Sequence, residues 1–71
     1  MDYDETFLKM LQFLQFTYQS FPKFMIEIMA DNYGIPLNEI KPLMFKFRKE
    51  GILLILKDKG YTFMLNESFF S

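Results

Sequence analysis

The sequence contains no cysteine and no histidine. Those absences exclude disulfide scaffolds, thiolate zinc sites, thiol nucleophiles and any mechanism in which an imidazole moves a proton. Valine is missing, and alanine and arginine occur once each, at Ala30 and Arg48. The three glycines, Gly34, Gly51 and Gly60, stand isolated, so no glycine-rich loop can cradle a phosphate. The longest run without a charge, Met10 to Pro22, contains Gln12, Gln15 and Gln19 and is too short and too polar to span a bilayer. The first residues carry Asp2, Asp4 and Glu5, the opposite charge to that of a signal peptide. A soluble, intracellular, cytoplasmic protein is expected, with no membrane partner. There are no internal repeats and no low-complexity tracts.

What remains is a chain of 71 residues, 51% apolar, which is too apolar for a disordered segment. The length suits a single small domain over residues 1–71. Lacking covalent or metal staples, its core must be self-sufficient or be completed by a second copy. Phe, Tyr, Met, Ile, Asn and Lys supply 36 residues, whereas Gly, Ala, Arg and Pro supply 8. The first set has AT-rich codons, which points to an AT-rich genome such as that of a low-GC bacterium, a phage, a plasmid or an archaeal virus. The six methionines read as adaptable core filler. Catalysis has little to use. Metal ligands would have to be carboxylates alone, and Asp2, Asp4 and Glu5 are simply explained as helix caps. Ser20, Ser68 and Ser71 have no base to activate them. No catalytic residue, metal site or cofactor is expected, and the chain does not read as an enzyme.

Charge is unevenly placed. Residues 1–36 carry a net −3, residues 37–59 a net +3 and residues 60–71 a net −1, so the total of −1 hides a basic stretch. That stretch holds Lys41, Lys46, Arg48, Lys49, Lys57 and Lys59 against Glu39, Glu50 and Asp58.

Periodicity predicts three helices and a hairpin. The first helix runs from about residue 4 to 19, with Asp2 and Glu5 at capping-box spacing and Asp4 as a second candidate cap. Phe7, Met10, Leu11, Leu14 and Tyr18 form its apolar stripe. Phe13 and Phe16 fall off that stripe and need cover. The second helix covers about 22–33, with Ser20 as cap, Pro22 in the first turn and Gly34 at the left-handed C′ position. Its inner face holds Met25, Ile26, Met29, Ala30 and Tyr33. The third covers about 37–50, with Ile40, Leu43, Met44 and Phe47 on one side, and Gly51 stops it. Pro42 lies inside that span. An interior proline costs about 3 kcal/mol, so this helix starts either with Asn38 as cap or as late as Pro42. Residues 52–57 and 60–66 then read as two strands around a Gly-containing turn. The expected fold is α+β and mostly helical: three helices followed by a two-stranded antiparallel hairpin packed on them. Apolar residues on both faces of the hairpin, together with Phe13, Phe16, Phe69 and Phe70, predict a homodimer with those four phenylalanines at the interface.

Ala30, Gly34, Ile35, Ile40 and Leu43 have the offsets of a helix-turn-helix. A small residue lets the next helix cross closely, glycine turns the chain with φ > 0, and the apolar residues plug the angle between the helices. With the segment Phe47 to Leu53 entering a hairpin tipped by Lys57, Asp58, Lys59 and Gly60, residues 7–65 resemble the winged helix-turn-helix DNA-binding family. The resemblance implies a small phage, viral or plasmid-type regulator that binds double-stranded DNA as a homodimer. It implies that Asn38, Lys41 and Phe45 face the major groove, that Lys46, Arg48 and Lys49 lie near phosphates, and that Lys57 and Lys59 form the wing contact. A second expectation belongs to another class: a small viral winged-helix protein that binds and inhibits a host protein, in the host cytoplasm, without binding DNA.

Overall fold

Where each helix stops decides where the chain goes next. The computed structural model describes residues 2–58 and 60–69. Helix α1 spans Asp4–Thr17. A carboxylate oxygen of Asp2 accepts the backbone N–H of Asp4 at 3.0 Å, satisfying one of the amides that the first turn leaves without a partner. Tyr3 occupies the cap position, and Glu5 pairs with Lys9 one turn on, at 3.6 Å, instead of reaching back. The helix ends at Thr17 because Tyr18 adopts an extended backbone and leads into strand β1, Phe21–Pro22. Tyr18, predicted in the buried stripe, therefore lies beyond the helix and is exposed.

Helix α2 spans Lys23–Asn32, with Pro22 rather than Ser20 in the cap position. Gly34 follows with φ +76°. Its N–H donates to the Asp31 carbonyl at 3.1 Å, and the N–H of Ile35 donates to the Ala30 carbonyl at 2.8 Å. This pair of bonds is the Schellman ending, and it satisfies two carbonyls that the last turn leaves free. Buried Ile35 sits over buried Ala30, the apolar contact that accompanies such an ending.

A 3-10 turn over Leu37–Glu39 precedes helix α3, Ile40–Lys49. Pro42 is thus the third residue of α3. Its missing N–H falls among the first-turn amides that have no intrahelical acceptor, so proline costs the helix nothing there. The Schellman ending repeats at the far end. Gly51 has φ +79°, its N–H donates to Arg48 O at 3.0 Å, and the N–H of Ile52 donates to Phe47 O at 2.9 Å. The chain then enters strands β2, Leu53–Asp58, and β3, Gly60–Leu65.

The strands form an antiparallel sheet in the order β1-β3-β2, with Leu53 opposite Leu65, Ile55 opposite Phe63 and Phe21 opposite Phe63 on the other side. The architecture is mostly helical α+β, three helices followed by a hairpin, a layout compatible with a winged helix. Strand β1 extends the expected two-stranded hairpin to three strands. Two side-chain amides lock the sheet in place. Gln15 on α1 accepts the N–H of Leu65 at 2.8 Å and donates to the Gln19 carbonyl at 2.8 Å. Asn66 donates to the Gly51 carbonyl at 3.0 Å.

The core gathers Phe7, Met10, Leu11 and Leu14 from α1, Phe21 from β1, Ile26 and Ala30 from α2, all four predicted residues of α3, and Leu53, Phe63 and Leu65 from the sheet. Phe7 and Phe47 meet edge to face with ring centres 5.2 Å apart, a geometry favoured by the ring quadrupoles. Met25 and Met29 are partly buried against this core, while Tyr33 at the end of α2 is exposed. No helix among the described residues is long and apolar enough to cross a membrane.

A Cβ at Gly34 would meet nothing within 4 Å, so a substitution there is opposed only by the left-handed backbone. Gly34→Ala is expected to lower unfolding free energy by about 1–2 kcal/mol in urea titration. D-alanine at the same position, introduced by chemical synthesis, is expected to restore it. An L-alanine variant of unchanged stability contradicts this account of the α2–α3 corner.

Candidate nucleic-acid interface

With Ile40, Leu43, Met44 and Phe47 committed to the core, the 100° step of the helix turns Lys41, Phe45, Arg48 and Lys49 outward. Phe45 is 68% exposed, an unusual position for a large aromatic ring. It divides two grooves. One, of about 510 Å³, is bordered by Lys23, Lys41, Pro42, Phe45, Arg48 and Phe63. The other, of about 690 Å³, runs between α3 and β2 and is bordered by Phe45, Arg48, Lys49, Leu54 and Leu56. Four cations from two helices therefore surround one exposed ring, and the hairpin forms the adjoining wall.

Lys23 is absent from the sequence-based set. It comes into position because β1 pairs with β3 and so fixes the start of α2 beside Phe63 and α3. The periodicity of α2 alone carries no signal for this. Asn38 is exposed on the 3-10 turn ahead of α3, and Lys57 is exposed on β2 towards the hairpin tip. Neither borders the two grooves. Lys59 lies outside the described residues.

Lys46 stands apart from the other cations. It lies one turn before Lys49, on the flank of α3 away from Lys41 and Arg48, where its Nζ donates to a carboxylate oxygen of Asp4 at the start of α1. The hydrogen bond to Asp4 raises the Lys46 pKa above its ordinary value of 10.5. Partial desolvation opposes the rise, while the negative charges of Asp4, Glu50 and Asp2 reinforce it. This flank is locally neutralised, and Lys46, although one turn from Lys49, borders neither groove.

The four phenylalanines expected at a dimer interface separate in the same way. Phe13 is half exposed and walls a groove between α1 and α2, and Phe16 is almost fully exposed. Phe69 instead lies over the α3–β2 turn, 3.8 Å from where a Cβ on Gly51 would sit. Phe70 lies outside the described residues. No protein-family model, curated protein or solved structure matches the chain.

A lysine whose folded pKa is raised stabilises the native state fully below its unfolded value, and this contribution is lost as pH rises through the folded value. The Lys46 contribution is therefore complete below pH 10.5 and disappears above it. An NMR titration of the Lys46 side chain is expected to give a midpoint above 10.5, and Asp4→Asn to return it towards 10.5. An unchanged midpoint in Asp4→Asn would remove Asp4 as the cause.

Proposed function

We propose that this chain is a DNA-binding transcriptional regulator of winged-helix type that acts as a homodimer and catalyses no reaction. The observation that carries the proposal is the outward face of α3, where Lys23, Lys41, Arg48 and Lys49 surround Phe45 beside the hairpin. In a chain whose net charge is only −1, this local excess of cations is what a polyanion would meet. The cations neutralise phosphates and set the register of α3 on the duplex. Phe45 has no hydrogen-bonding group, and the matching feature of a base edge is the thymine methyl in the major groove. Asn38 has the amide that pairs with adenine, and Lys57, with Lys59, supplies the wing contact. Lys46, held by Asp4, contributes little to phosphate binding on this reading.

A second reading has its own support. Phe45, Leu54 and Leu56 give the groove between α3 and β2 an apolar lining that also suits a protein surface. On that reading the chain is a small viral protein that inhibits a host protein. Duplex binding separates the two.

Fluorescence anisotropy with random duplex DNA over a salt series is expected to show affinity falling with a log–log slope of about −5.4 per protomer, from six phosphates neutralised by Lys23, Lys41, Arg48, Lys49, Lys57 and Lys59 at about 0.9 each. Arg48→Ala or Lys49→Ala should each flatten that slope by about 0.9, while Lys46→Ala leaves it nearly unchanged. Absence of binding at low salt rejects the DNA reading and leaves the protein-binding one. Separately, replacing thymine by uracil in a selected site should weaken binding of the wild type, and Phe45→Ala should abolish that difference. Equal affinity of the wild type for both duplexes removes Phe45 as a methyl reader.

A further inference from the structure

Phe16 is 91% exposed, the highest value among the large apolar side chains described. It lies one turn beyond Phe13 on α1, rotated by about 60° at 100° per residue. Phe13 walls a groove of about 330 Å³ between the second half of α1 and α2, together with Tyr18, Met25, Ile28 and Met29. Ile28 is 59% exposed there. No charged side chain lines this groove, and none occurs between Met10 and Pro22. One patch thus combines an aromatic knob directed away from its own groove with an apolar groove that nothing among the described residues fills. A two-fold axis satisfies both at once, because an isologous contact presents the same patch from each side.

We infer that a second copy of this chain occupies the α1–α2 groove, with Phe16 of each protomer seated in the groove of the other. Charge selects this face over the alternatives. Two copies meeting through α3 would oppose Lys41, Arg48 and Lys49 with themselves, whereas the α1–α2 groove is lined by no charged side chain, Asp31 one turn beyond Ile28 on α2 not being part of its lining. The nearest charges on the outer side of α1, Glu5 and Lys9, already pair with each other. A nucleic acid or a strongly charged partner finds no group here to engage. The inference rests on the dimeric part of the proposed function and names its interface, with Phe69, which lies against Gly51, outside it.

Sedimentation velocity of the full chain from about 5 to about 500 µM tests it. The wild type is expected to be dimeric. Phe16→Glu, which removes the knob, and Ile28→Glu, which blocks the groove, should each raise the dimer Kd about 30-fold or more. Leu37→Glu, an exposed apolar residue on the 3-10 turn that lines none of the grooves, should leave it unchanged, and circular dichroism checks that each variant is folded. Mixing the two defective variants is the stricter test. Phe16→Glu keeps an intact groove and Ile28→Glu an intact knob, so the mixture should form heterodimers more tightly than either variant forms homodimers. If both single variants stay as dimeric as the wild type, the interface is elsewhere and only this inference falls. If the wild type is monomeric throughout, the inference and the dimeric reading fall together.

Discussion

Phe47 holds two parts of the structure in register. Its ring stands edge-on against Phe7 in the middle of the core, with the ring planes 89° apart. Its carbonyl accepts the N–H of Ile52 in the bond that closes α3. One residue thus ties the packing of α3 on α1 to the direction in which the chain leaves for the hairpin. A buried phenyl ring is worth about 3–5 kcal/mol of packing, a large share of the roughly 5–15 kcal/mol that holds a small domain together. Everything on the outer face of α3 inherits its orientation from this anchor, because a helix fixed along one side has no freedom in what it turns to solvent.

That fixed rotation sorts the charges of α3. Lys41 and Arg48 on one flank, with Lys49 at the outward crest, join Lys23 around Phe45. On the other, Lys46 is drawn to Asp4 and shares its surroundings with Glu50 and Asp2. A count of charges along the chain gives both flanks equal weight. The folded molecule does not, since it adds a lysine from α2 to one and an aspartate from α1 to the other. The basic stretch of the sequence becomes a one-sided basic surface only through contacts made by the acidic first half.

Much of the architecture was legible because it depends on local chemistry. Gly34 and Gly51 mark helix ends where only a residue without Cβ is comfortable, and the four core positions of α3 follow directly from its period. The parts that were not legible depend on distant partners. Strand β1 is two residues long and has no period to detect; it exists because β3 is there to pair with it. Tyr18 fits the apolar stripe of α1 but falls past the point where the chain turns towards β1. Gln15 looked like a polar interruption, and its role appears only when Leu65 arrives with an N–H to satisfy. The Lys46–Asp4 pair joins residues 42 positions apart, beyond any helical spacing. Lys23 reaches the candidate site for the same reason that β1 exists.

Pro22 has a consequence for the rims of the sheet. Lacking an N–H, and lying in a strand of only two residues, it leaves the β1 rim poorly equipped to bond another chain. On the far rim the alternation of an antiparallel ladder applies. The N–H of Leu65 goes to Gln15 and that of Asn66 to the Ile52 carbonyl, so the backbone groups of Ile55 and Lys57 are directed away from β3. The ribbon is finished on one side and unfinished on the other. Among the described residues, lengthening of the sheet by an incoming extended peptide is favoured at the β2 rim over the β1 rim.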